Sequence, residues 1–252
     1  MKNKNNLSKY TVYGTNAIDK DIENHLKNIS NRVSQIFRNY DLIALVLGGG
    51  YGKGEGGVYL ENGKETLFND LDFFIIIDDI PQPFRDYYEN TLKKLHKELS
   101  KEIGIDVDFG PLKTLKQIEK MPFNLMWGEL KQSHQVIIGN KDILQWYPHK
   151  DLQALPHKEA LNLLLNRGVG LLLAKDQLEN PSKIIDKDFI LRNIYKARIA
   201  IGDALLILNN LFHHSYLKRA DLFEKLQTIP NNHNSNLQAI YRDAIDYKLK
   251  PN

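Results

Sequence analysis

The chain has no cysteine. Disulfides, thiolate nucleophiles and sulfur-ligated zinc sites are therefore excluded. Charge of one sign is also scarce: 34 Lys and Arg stand against 31 Asp and Glu, a net of +3. A template-independent RNA nucleotidyltransferase would want a strongly basic groove, and this balance argues against one; nucleic acid is not expected as a partner. Long hydrophobic runs are missing too. The longest fall far short of the ~20 apolar residues that span a bilayer. The start MKNKNNLSKY is polar and has no apolar core of the kind a secretory signal carries. These absences lead to the expectation of a cytoplasmic protein with no membrane association. The eight histidines show no zinc spacing.

What is present is ordinary globular composition, 42% hydrophobic and 26% charged, in 252 residues. That length permits one large domain or two modest ones. Apolar residues at steps of three and four from Ala17 to Tyr40 predict an amphipathic helix. Leu42–Leu47 is an unbroken apolar run of strand length. Gly48 to Gly57 holds seven glycines in ten positions, a loop that lets backbone come close to a ligand. Asn62-Gly63, between Val58-Tyr59-Leu60 and Thr66-Leu67-Phe68, is a type I′ hairpin signal. Leu71–Ile77 reads as a second buried strand ended by Pro81 and Pro83. A helix from about Phe84 to Ile103 follows, and then the alternating run Ile105 to Phe109. Gln135–Ile138 reads as a short strand. The stretch Pro148 to Pro156 is the expected domain boundary. It divides residues 1–150 from a helical half, 151–252, with helices expected at 155–178, 188–211, 220–226 and 237–249. Asn180-Pro181 and Pro230 with the polar run after it separate these helices. Trp127, Trp146 and the tyrosines read as core and rim residues.

The chemistry gathers around 42–79 and 103–109. Asp70 and Asp72 are two apart at the start of a strand, so their side chains leave one face. Asp106 and Asp108 do the same on another strand. Neighbouring strands would bring three or four carboxylates together. Such groups repel one another, and a divalent cation relieves the repulsion. Mg²⁺ favours carboxylate oxygens together with substrate phosphates. The glycine loop would offer backbone N–H groups to a triphosphate, with Lys53 the nearest fixed positive charge. Asp78-Asp79, before Pro81, reads as a turn.

Gly48-Gly49-Gly50, Asp70-Leu71-Asp72-Phe73 and Asp106-Val107-Asp108-Phe109 together resemble the DNA polymerase β-like nucleotidyltransferase superfamily. Its members include the minimal and the aminoglycoside-type bacterial enzymes. The resemblance covers about residues 30–145. It implies an α+β nucleotidyltransferase fold, with a small mixed β-sheet and flanking helices; the helix periodicity of 151–252 adds an all-α helical domain after it. It also implies an NTP substrate, ATP being the expected one, and Mg²⁺ (or Mn²⁺). Asp70, Asp72 and Asp108 would be metal ligands, with Asp106 close behind Asp108 as the third carboxylate. Gly48, Gly49 and Gly50 would bind the nucleotide, and Lys53, with Arg167 of the helical half, is read from its charge as a further nucleotide-binding residue. The sequence departs from the family pattern at three points. The family's common Ser is replaced by Gly49 or Gly50, the gap to Asp70 is lengthened by the hairpin, and Asn69 stands where an apolar residue is usual. In the helical half, stretches around Asn162–Leu172 and Ala200–Leu206 are similar to bacterial nucleotidyltransferase-like proteins but import no substrate. Arg167 and Asp203 are charged groups inside apolar helix patterns, so they are expected to pair with each other or with a cap, Arg167 alternatively touching phosphate. Asp203 or Glu159 is a candidate general base.

Competing motifs fail on context. Gly52-Lys53-Gly54-Glu55-Gly56-Gly57 matches Gly-x-Gly-x-x-Gly, but a hairpin follows where a dinucleotide site needs a helix. Gly54 follows Lys53 where a Walker loop needs Ser or Thr, and no kinase triplets follow. The leading expectation is a two-metal nucleotidyltransferase that moves an NMP from an NTP to a hydroxyl of a small molecule or protein, releasing pyrophosphate. A catalytically silent nucleotide-binding or partner module is the alternative from another class. The oligomeric state is left open.

Overall fold

The structure, a computed structural model, describes residues 8–38, 40–147, 150–180, 182–226 and 234–251. The expectations at Pro148, Pro181 and Pro230, and for the side chain of Trp146, lie outside the described residues. The chain is α+β, with a small mixed sheet and helices C-terminal to it. It divides into two compact units. One lies within Met1–Pro122, Glu129–His149 and Leu249–Asn252, the other within Phe123–Gly128 and Lys150–Lys248.

The first unit opens with helix α1 (Asn16–Ile36), whose N-terminus Thr15 caps by accepting from the Ala17 N–H. Ile18, Ile22, Leu26, Ile29 and Val33 recur at helical spacing and are buried. Strand β1 (Leu42–Leu47) is central in the sheet, and its last four residues are buried. Helix α2 (Gly49–Gly52) is a single turn. Strands β2 (Gly57–Glu61) and β3 (Lys64–Phe68) form a separate two-stranded sheet. Both of its turn residues have positive φ, 51° at Asn62 and 81° at Gly63, as a type I′ hairpin requires.

Strand β4 (Leu71–Ile77) runs antiparallel to β1. Helix α3 (Gln82–Ile103) buries Tyr88, Leu92, Leu95 and Leu99 and leads to β5 (Val107–Phe109), which lies parallel to β4. A two-residue strand β6 (Lys113–Thr114) also pairs with β4. Helices α4 (Leu115–Glu119) and α5 (Leu125–Gln132) follow. Strand β7 (Gln135–Ile138) then adds antiparallel to β1, completing the order β5-β4-β1-β7. One apolar cluster joins α1, α3 and the inward face of β1, β4 and β5.

The second unit holds helices α6 (Lys158–Glu179), α7 (Lys187–Leu208), α8 (Tyr216–Glu224) and α9 (Asn234–Leu249). α6 and α7 form an antiparallel hairpin: Gly170 faces Asn193, and the Gln177 side chain accepts from the Asp186 N–H. On α7, Asp203, 5% exposed, accepts from Arg219 at 2.6 Å and from the Tyr241 hydroxyl at 2.5 Å. This corrects the expected pairing of Asp203 with Arg167. The partner that satisfies Asp203 comes from α8, with a second from α9, as a buried carboxylate requires. Burial, reinforced by the Asp203 charge, pushes the Tyr241 phenol well up. Among the described residues, no helix is long and apolar enough to cross a membrane.

Candidate metal centre

Register decides which carboxylates meet. β4 and β5 are parallel neighbours with Leu71 opposite Val107 and Asp72 opposite Asp108. The Leu71 N–H donates to the Asp106 carbonyl and the Gly110 N–H to the Phe73 carbonyl, both at 2.8 Å. Val107 is buried, so Asp108, the next residue, takes the other face and stands beside Asp72. Asn69, at φ 77°, turns the chain just before Asp70, the residue that leads into β4. Asp70, Asp72 and Asp108 each offer a carboxylate oxygen within 4.8 Å of the others. Asp106, one residue before β5, is not in that cluster.

The donor set fits a hard divalent cation. Oxygens that share one Mg²⁺ at ~2.1 Å are at most about 4.2 Å apart. Carboxylate oxygens lying within 4.8 Å of one another need at most small side-chain rotations to meet that limit. Asp70 and Asp72 are half-buried and Asp108 is exposed, which gives three anions with one open side.

β5 is an edge strand, and α3 holds it from outside. The Val107 N–H donates to Ser100 Oγ at 3.0 Å, and His96 Nδ1 lies 2.8 Å from the Val107 carbonyl. A carbonyl only accepts, so that contact places the His96 proton on Nδ1. The same nitrogen is 3.5 Å from Asp108 Oδ1. His96 therefore holds the strand by its backbone and lies beside the Asp108 carboxylate. Sequence reasoning missed His96; a lone histidine on an amphipathic helix gives no signal of what lies beside it.

The glycine run packs against the same carboxylates. Gly48 donates its N–H to the Asp72 carbonyl at 2.8 Å. Gly49 has φ 58°, and a Cβ built on it would press into the Asp72 carboxylate, 3.0 Å from its Cγ and closer still to Oδ2. Glycine is needed there twice over, for the backbone and for the space. The N–H groups of Gly52, Lys53, Gly54, Glu55 and Gly56 all donate to carbonyls of the fold. The expected cradle of N–H groups over residues 48–57 thus narrows to the turn at Gly49, Gly50 and Tyr51.

Tyr51, the bulky residue inside the run, is 1% exposed. Its hydroxyl takes the Phe68 N–H at 3.0 Å and lies 2.7 Å from the Gly57 carbonyl, which ties the turn to the base of the hairpin. Burial pushes its phenol pKa up, and the Asp70 charge adds to the shift against the Phe68 N–H.

Lys53 is held by Glu129, with Nζ 2.9 Å from the carboxylate and only 4% of its side chain exposed. It is committed to an ion pair in the fold and does not stand open as the fixed cation expected for phosphate. Arg167 lies half-buried on α6 in the second unit. Glu159 is 8% exposed, and its two oxygens accept from the Leu125 N–H at the start of α5 and from Asn162. Both Glu159 and Asp203 are engaged in holding helices together, which removes the geometric basis for either as a general base. Comparison with protein-family models and with curated proteins finds no match to this sequence.

Proposed function

We propose that the chain is a metal-dependent nucleotidyltransferase, moving an NMP from an NTP to a hydroxyl of a small molecule or a protein. The observation that carries this is the convergence of Asp70, Asp72 and Asp108 on one open face where β4 and β5 pair. The polymerase β-like resemblance of the same residues supports it, and with it the nucleotidyltransferase fold for the first unit. Asp70, Asp72 and Asp108 would hold Mg²⁺ or Mn²⁺. Bound there, the cation would neutralise phosphate charge and lower the pKa of the attacking hydroxyl.

In the transfer, the acceptor oxygen bonds to the α-phosphorus. The bond from that phosphorus to the bridging oxygen breaks, pyrophosphate leaves, and the hydroxyl gives up its proton. Asp108, the exposed one of the three carboxylates, would receive that proton at a carboxylate oxygen. His96 holds the backbone of β5 at Val107, next to Asp108. Gly48 to Gly50 bring backbone close to Asp72, where nucleotide phosphate would lie.

The test is pyrophosphate release from each NTP with Mg²⁺ or Mn²⁺, in wild type and Asp72→Asn, with metabolites, RNA and the protein itself as acceptors. Calorimetric NTP binding is run alongside. Release that requires Asp72 is the expected result. Metal-dependent NTP binding with no release across the panel would favour the silent nucleotide-binding module. A protein that binds neither metal nor NTP would refute the site altogether.

A further inference from the structure

Helix α6 leaves most of its apolar surface in water. Of its 22 residues, only Glu159, Ala160 and Ala174 are buried. Leu161, Leu165 and Leu172 are 58%, 61% and 67% exposed. With Gly168 they recur at steps of four, three and four, a single stripe on a helix of 3.6 residues per turn. The contact with α7 uses the other side, where Gly170 meets Asn193. Gly170 is two residues from both Gly168 and Leu172, about 200° round the axis. A line of large leucines opposite an occupied face is an interaction surface rather than scattered exposure.

We infer that this stripe docks a second copy of the same chain, α6 against α6, antiparallel about a two-fold axis at Gly168. A two-fold axis sets the same face of α6 on both copies, as an isologous contact demands. Turned end for end about Gly168, Leu165 falls against Leu171 of the second copy and Leu172 against its Leu164, Leu161 falls beside its Lys175, and Lys158 falls beside its Glu179. Lys158 is exposed. Glu179 is exposed and already pairs with Lys175 at 3.6 Å, so the second copy's Lys158 completes a three-charge rim. A Cβ built on Gly168 would meet nothing within 4 Å, so the two backbones can approach most closely at the axis. At the C-terminal end of the stripe Asp176 pairs with Lys183 and Glu179 with Lys175, so that end offers an anionic lipid surface no net positive charge. The charge pattern therefore favours a second copy over a membrane.

The test uses the full chain. Sedimentation across a concentration series is expected to show a dimer. Leu165→Glu with Leu172→Glu is expected to weaken it at least tenfold, with the circular-dichroism spectrum unchanged. The native chain has no cysteine, so Gly168→Cys introduces the only thiol. It should oxidise to a disulfide-linked dimer far faster than Glu61→Cys, an exposed control at the hairpin tip. Lys158→Glu alone should weaken the dimer, and adding Glu179→Lys should restore it; this pair decides the matter if the leucine variant does not fold. A monomer at every concentration would overturn the inference, as would a dimer indifferent to both sets of substitutions. So would a monomer that floats with phosphatidylglycerol vesicles.

Discussion

Replacing Gly49 by Ala tests whether the Asp72 carboxylate is held where the structure has it. Two penalties arise. The residue sits at φ 58°, and a left-handed conformation costs a non-glycine residue roughly 1–2 kcal/mol. The new methyl also stands 3.0 Å from Asp72 Cγ, where ordinary contact begins near 3.4 Å. The carboxylate carbon must retreat by about 0.4 Å and its Oδ2 by more. Misplacing groups that orient a metal ligand typically weakens binding about 10–100-fold, which corresponds to about 1.4–2.7 kcal/mol. Gly63→Ala separates the two penalties. It too has positive φ, 81°, but a Cβ there meets nothing within 4 Å, so it carries the strain alone. The assay is Mn²⁺ binding by calorimetry, with thermal unfolding of the metal-free proteins alongside. Both variants should lose a few degrees of Tm. Only Gly49→Ala should lose Mn²⁺ affinity, by about 10–100-fold. Equal affinity in Gly49→Ala and wild type would refute the placement of Asp72 in the site. An equal loss in Gly63→Ala would show that global strain, not the carboxylate contact, controls binding.

Three further outcomes follow from the same geometry. Asp108→Asn should weaken Mn²⁺ binding at least tenfold by calorimetry while Asp106→Asn leaves it within twofold, because only Asp108 belongs to the cluster; equal effects would place the metal elsewhere. Asp203→Ala leaves the Arg219 guanidinium, 2% exposed, buried without its carboxylate, so chemical denaturation should show a loss of about 3–5 kcal/mol; Asp203→Ala with Arg219→Met should recover part of it. Burial lowers the His134 and His25 pKa values below 6.5, so the unfolded chain binds protons more readily and this stabilisation, full above pH 6.5, is lost as pH falls through the folded-state values. Tm should therefore drop between pH 7.5 and 5.5, and by less in His134→Gln; an undiminished drop would remove His134 from the account.

Local pattern made much of the first unit legible. The run Leu42–Leu47 and the run Leu71–Ile77 are strands because each is apolar, of strand length and bounded by turn formers. The Asn62-Gly63 turn is a strictly local signal. Helices α4 and α5, of five and eight residues, carry too few turns for periodicity to show. The choice between Asp106 and Asp108 has a different character. Alternation places both on one face, and only the pairing of β5 with β4 says which one sits opposite Asp72. Register between strands distant in sequence is not written in either strand. The same limit explains Asp203. Its need for a buried cation was visible in the α7 pattern, whereas the supplier, Arg219, depends on how α8 crosses α7.

The glycine run shows how a motif can be legible while its cause is not. Read alone, seven glycines in ten positions suggest backbone held open for phosphate. The fold accounts for several of them without a ligand. A Cβ on Gly52 would strike the Leu47 carbonyl group, one on Gly56 the Tyr51 ring, and one on Gly50 would press on the Glu55 carbonyl at 3.0 Å. These glycines let a tight turn fold back on β1 and around Tyr51. Gly49 is the one whose smallness serves a carboxylate of the proposed centre. The run therefore adds to the functional reading chiefly through Gly49 and Asp72, and a phosphate-binding role for the loop does not follow from glycine content. The weight rests on the three carboxylates. Packing and pairing account for the glycines, but no demand of the core brings like charges together on an open face.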